Sequence, residues 1–177
     1  MSTNRELILS CARRVRAWTK RQAHKYYDLS FDERTDSQDG YYEIDPSDLM
    51  GGCAIASTRL FLELQKLDIP AELCVTHTHA FLVVEGHILD VTATQFKPFF
   101  AADEFPPIVF ETEYDFFDRF DSDEECADLD QEPWANAKRF SCVNEFLKYL
   151  DQEGWPQEQT IQKKHLNGYL ISEENLR

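Results

Sequence analysis

The sequence predicts an α+β protein. A long apolar helix spans about Gly52 to Leu67, three short strands follow it directly, and helical periodicity returns on both sides, over 3–27 and 133–151. At 177 residues, with thirteen Phe, seven Tyr and three Trp, the chain has apolar area for one packed domain. We read 1–177 as that single domain, with a core at 42–96, a basic N-terminal helix at 3–27 and a helical C-terminal part at 133–170.

Residues 3–27 place Leu7, Cys11, Val15 and Trp18 at helical spacing as a buried stripe, with the basic residues mostly on the other faces. Residues 28–50 are a polar connection with a turn at Asp39-Gly40 and a short extended piece at 41–44. It runs straight into Cys53 and so suits one wall of a cleft. The central helix carries Cys53, Ala56, Ser57, Leu60, Leu64 and Leu67 on one face, and Asp68-Ile69-Pro70 ends it. Strands are expected at about Glu72 to Thr76, His79 to Val84 and His87 to Thr92, with Glu85-Gly86 as a two-residue turn. In that register Phe81 lies opposite Asp90, and His79, two residues along, becomes Asp90's diagonal neighbour on the same face. A one-residue slip would separate them.

Beyond Pro106-Pro107, Ile108 to Tyr114 reads as a strand. The acidic run after it, interleaved with Phe116, Phe117 and Phe120, reads as a short amphipathic helix. Residues 133–151 read as a helix started by Pro133, with Trp134, Ala137, Phe140, Val143, Leu147 and Leu150 buried; Gly154-Trp155-Pro156 stops it. The polar tail allows one more helix up to Asn167-Gly168.

Charge and cysteine usage exclude some functions. The net charge is -15, with thirteen acids against Arg119 alone over 103–132; only residues 1–27 are basic, with seven Lys or Arg against Glu6. A nucleic-acid partner is not expected, because phosphate contacts need a positive surface. No apolar run is long enough to cross a bilayer, and no signal peptide is visible. Five cysteines, an odd count without C-x-x-C spacing, favour free thiols and a cytoplasmic location.

The chemistry concentrates between Gly51 and Phe96. Cys53 sits in the first turn of its helix, where the positive end of the dipole favours a thiolate. His79 opens a strand and Asp90 lies within the apolar run Ile-Leu-Asp-Val, where a buried carboxylate needs a partner. Cys53 as nucleophile, His79 as general base and acid, and Asp90 as the group orienting the ring form a triad in chain order. Thr92, Gln95 and Asn136 are alternative orienters. Gly52, Tyr42 and Gln95 are candidates for the oxyanion and substrate side. His77 and His79 share a strand face as a metal pair would, but His87 faces away and no third ligand follows at familiar spacing, so no metal is expected. Cys11, Cys74 and Cys142 read as core, and Cys126 as exposed.

These residues resemble the transglutaminase-like branch of the papain-like cysteine enzymes. The matching features are Cys53 at the start of a core helix, the Leu-x-x-x-x-Ile-Pro-Ala step at Leu64 to Ala71, His79-Ala80-Phe81, and Asp90-Val91-Thr92. The family's usual Trp after His-Ala is Phe81 here. Where the family places an upstream aromatic or Gln, this chain offers Tyr41 or Tyr42. The resemblance covers a quarter of the chain. It implies a core helix packed on a small antiparallel sheet with flanking helices. It also implies thiol chemistry on amides (peptide hydrolysis, deamidation or transamidation) on a protein or peptide substrate, with no cofactor. Two other readings stand beside it: an acyl-CoA-dependent enzyme like the arylamine N-acetyltransferases, and a non-catalytic protein-binding module on a degenerate enzyme scaffold.

Overall fold

A computed structural model describes residues 2–30, 49, 52–96, 106–121 and 134–153. Helix α1 (Ser2–Ser30) and helix α2 (Cys53–Gln65) precede β1 (Ala71–Val75), β2 (Ala80–Val84) and β3 (His87–Asp90). A 3-10 turn at Ala93–Phe96 follows, then β4 (Val109–Thr112), α3 (Glu113–Asp121), β5 (Lys138–Phe140) and α4 (Val143–Glu153). The strands form one antiparallel sheet in the order β4-β3-β2-β1-β5. The fold is thus α+β with a five-stranded sheet.

Both faces of the sheet are covered. Leu73, Val75, Ala80, Leu82 and Val84 pack with α1, α2 and α4 on one side. Cys74, Phe81, Val83 and Ile88 pack with Phe116 of α3 and with Trp134 on the other. This accounts for strands that read as continuous apolar runs rather than alternating ones. Helix α2 ends in a Schellman arrangement: Ile69 N–H reaches Leu64 C=O, Asp68 N–H reaches Gln65 C=O, and Asp68 takes φ 54°. The turn between β2 and β3 has Glu85 at φ 51° and Gly86 at φ 73°. Two successive left-handed residues make the type I′ hairpin expected of a two-residue loop, and Val84 pairs with His87.

Several expectations need correction. The helix read over 133–151 does not exist as one element. Residues 134–136 form a turn with Asn136 at φ 55°, 138–140 form β5, and helix begins only at Val143. The unpaired edge of β1 explains this: β5 completes its ladder, and the chain crosses the edge so that Trp134 and Phe140 enter opposite faces of the core. Cys142 consequently lies half-buried ahead of α4 rather than on a core stripe. On α1 the buried stripe is Ile8, Cys11, Ala12, Val15 and Thr19, whereas Leu7 is 38 % exposed and Trp18 only half-buried. Leu67 is also exposed, because α2 has already ended. The remaining strands lie within two residues of their expected bounds, and the amphipathic helix with Phe116 and Phe117 is α3. The expectations for Tyr41, Tyr42, Cys126, the Asp39-Gly40 turn and the polar tail fall outside the described residues.

Candidate active site

Cys53 is the first residue of α2. Its N-cap is Gly52, whose N–H donates to Leu49 C=O at 3.0 Å and whose C=O accepts from Ala56 at 3.0 Å. A Cβ on Gly52 would lie 3.2 Å from Leu49 O and 3.2 Å from Thr19 Cγ2 of α1. Glycine therefore lets α1 and the incoming chain close around the start of α2. One turn later Ser57 Oγ donates to Ala80 C=O at 3.0 Å, tying the helix to the first residue of β2, beside His79. Sequence patterning places Ser57 on the helix's buried face, and there its hydroxyl is the cross-link that sets helix against strand.

His79 and Asp90 meet as the hairpin register requires. His79 Nε2 donates to Asp90 Oδ2 at 2.6 Å, with both side chains essentially inaccessible to water. The other carboxylate oxygen, Oδ1, accepts from Thr92 N–H at 2.7 Å and Thr92 Oγ1 at 3.0 Å. This is the Asx-turn geometry of a carboxylate followed two residues on by a donor. Thr92 therefore orients Asp90 rather than replacing it. Asn136, another proposed substitute, is exposed in its turn.

Two side chains complete the setting. Gln95 Nε2 lies 3.2 Å from His79 Nδ1 and donates to Thr92 C=O at 3.1 Å. Trp134 Nε1 donates to Asp90 Oδ2 at 2.9 Å. The His79 ring is boxed by Phe81 (5.9 Å, stacked), Phe96 (4.8 Å, edge-on) and Trp134 (5.5 Å, edge-on). Sequence reasoning missed Trp134 because it served there as one more position of a helical stripe; no local pattern marks it as a carboxylate donor. It also missed Arg16. This buried α1 residue donates to Val91 C=O and, at 3.1 Å, to Thr94 Oγ1, holding the segment that follows Asp90.

The electrostatics follow from burial and pairing. Burial alone would push the His79 imidazole down. The charge of Asp90, its hydrogen bond and the hydrogen-bonding thiol of Cys53 outweigh it and raise His79 to about 9. Burial would likewise raise Asp90. The His79 cation and the donors Thr92 N–H and Trp134 Nε1–H reverse this and hold Asp90 below its usual range. By contrast Cys74, buried in β1, is pushed up to about 12 and stays a thiol. Cys11 is buried in α1 as expected of a core residue.

Of the sequence candidates, Cys53, Gly52, His79, Asp90 and Gln95 converge at the junction of α2, β2 and β3, and Tyr42 lies outside the described residues. His77 is exposed in the bend before β2, and His87 turns its ring to Phe110 at 5.1 Å. Among the described residues, no three His, Cys, Asp or Glu side chains are grouped so as to hold a metal ion, and no helix is long and apolar enough to cross a membrane. Compared with known proteins, the chain matches no family model, no curated protein and no solved structure.

Proposed function

We propose that this chain is a thiol-dependent enzyme acting on an amide bond through a thioester, built on a papain-like core of the transglutaminase-like kind. One observation carries the reading. The ring of His79 joins Asp90 through Nε2 and also has the thiol of Cys53, at the positive end of α2, as a hydrogen-bonding partner. Cys53 Sγ attacks the amide carbonyl carbon as its proton passes to His79 Nδ1. The N-terminal dipole of α2 favours the resulting oxyanion. The C–N bond then breaks, the nitrogen leaves with the proton from His79, and the acyl group remains on Cys53. Water gives a carboxylic acid and an amine gives a new amide; both regenerate the thiol. Asp90 balances the imidazolium charge throughout. The substrate is a protein or peptide, and the free thiols support a reducing, cytoplasmic setting.

One observation favours a second reading, that of a binding module on an enzyme scaffold: Cys53 is only 1 % exposed. An acyl-enzyme requires the groups over Cys53 to move aside. The two readings part in one experiment. Glutamine-containing peptides are incubated with the protein, quenched in acid and analysed by mass spectrometry, alongside iodoacetamide labelling of every cysteine. The enzyme reading expects acyl adducts on Cys53, none in Cys53→Ala, and a fall of about 10²–10⁴-fold in His79→Ala. Full turnover in Cys53→Ala, or no adduct together with Cys53 labelling no faster than Cys142, would sink it.

A further inference from the structure

His79 is gripped on both ring nitrogens by one short segment. Asp90 takes Nε2, and Gln95, five residues later, meets Nδ1. The chemistry of Gln95 is settled by Thr92. The Thr92 carbonyl accepts both Gln95 N–H at 3.0 Å and Gln95 Nε2 at 3.1 Å. A carbonyl has no hydrogen to give, so the side-chain atom facing it is the amide nitrogen and not the amide oxygen. That nitrogen has one remaining hydrogen, and His79 Nδ1 is 3.2 Å away. An amide nitrogen accepts no hydrogen bond, so Nδ1 is the acceptor of this pair.

We infer that Gln95 is a positioning residue: it holds neutral His79 as the Nε2–H tautomer and resists addition of a second proton at Nδ1. Protonation of Nδ1 would set two donors against each other in a buried site where Gln95, 6 % exposed, cannot swing into water. Among the described residues, the titratable side chains against the ring are Asp90 of β3 and Cys53 of α2. Arg16 of α1 adds a cation beyond Val91 and Thr94. Asp90 draws a proton onto the imidazole, and Gln95 pushes back at the nitrogen that would receive it. A proton-transfer group works best when its affinity lies near the working pH, and Asp90 by itself overshoots. Gln95 offsets part of that excess. It is thus assigned to tuning the base, in place of an oxyanion role.

This inference rests on His79 serving as the base for Cys53, but its test needs neither substrate nor turnover. In Cys53→Ala protein, the ring nitrogens of His79 are followed by 15N NMR across about pH 5 to 11.5. The neutral ring should show a protonated Nε2 and a bare Nδ1. Gln95→Met keeps the length without the donor and should raise the titration midpoint by about one pH unit, the worth of one neutral hydrogen bond. Gln95→Glu, which offers an acceptor, should raise it further. A midpoint in Gln95→Met equal to or below that of the Gln95 protein overturns the inference, as does a neutral ring protonated on Nδ1. Should Gln95→Met not fold, Gln95→Glu and the tautomer of the Gln95 protein decide on the same terms. Loss of thioester formation with these shifts intact would count against the enzyme reading and leave the role of Gln95 standing.

Discussion

Trp134 Nε1 and His79 Nε2 donate to the same carboxylate oxygen, Oδ2 of Asp90, at 2.9 and 2.6 Å. With the two Thr92 donors on Oδ1, the buried carboxylate accepts four hydrogen bonds. That matches the capacity of an ionised carboxylate and explains how a charge is tolerated 1 % exposed within an apolar sheet.

Asp90→Asn should lower the titration midpoint of His79 from about 9 to or below the ordinary 6.5, because burial then acts without the countercharge. The amide also offers only one acceptor oxygen for donors on both sides. Unfolding in urea should show a loss of about 3–5 kcal/mol, the scale for breaking a buried pair. An unchanged imidazole titration in NMR would show that Asp90 does not govern the ring.

Stability should depend on pH with a definite sign. His79 is raised on folding, so its contribution is complete below about pH 6.5 and is lost as pH climbs towards 9. Asp90 is lowered, so its contribution is present above its ordinary value of 3.8 and is lost as pH falls below it. The pair therefore contributes most between roughly pH 4 and 6.5. Unfolding free energies from urea titrations at about pH 6 and pH 9.5 should differ by a loss on the order of 3 kcal/mol. Asp90→Asn should flatten the difference, and an equal pH slope in the two proteins would contradict the pairing.

Trp134→Phe keeps a ring against His79, Phe96 and Phe116 but removes the donor to Asp90. We expect about 1.5–3 kcal/mol of destabilisation, as for a hydrogen bond to a charged group. The acid limb of the stability curve should also move upward, since the Trp134 bond helps hold Asp90 low. Acid titration monitored by circular dichroism reads both effects.

Arg16→Ala should be costly although α1 reads as a basic surface helix. The guanidinium is 7 % exposed and donates to Val91 and Thr94. A loss of about 2–4 kcal/mol is expected, against about 0.5 kcal/mol or less for the exposed Arg13→Ala. Thermal unfolding of the two variants side by side gives the comparison, and equal melting temperatures would refute the anchoring role.

Gly52→Ala places a methyl 3.2 Å from Leu49 O and from Thr19 Cγ2. Thr19 can yield and the Leu49 backbone cannot, so the start of α2 must shift, with a loss of about 1–3 kcal/mol. Adding Thr19→Ser removes one of the two clashes and should recover part of the stability in urea unfolding. Full recovery would show that the Leu49 contact imposes no constraint.

Features that depend on near neighbours along the chain are legible in the amino-acid order. Helix α2 was legible from its apolar run. The β2–β3 hairpin was legible from Glu85-Gly86 as a two-residue turn, and the register this turn sets, Val84 against His87, put His79 and Asp90 on one face. The other features are not legible there, because each is set by a partner distant in the chain. The open edge of β1 turned residues 138–140 from helix into strand. The carbonyl of Val91, 75 residues away, drew Arg16 inward and rotated the buried stripe of α1. Asp90 recruited Trp134 across 44 residues to meet a carboxylate's need for donors. Periodicity reports which face of an element is apolar. It carries no information about which buried polar atom will require a partner, and in this fold such requirements select Arg16, Ser57, Gln95 and Trp134.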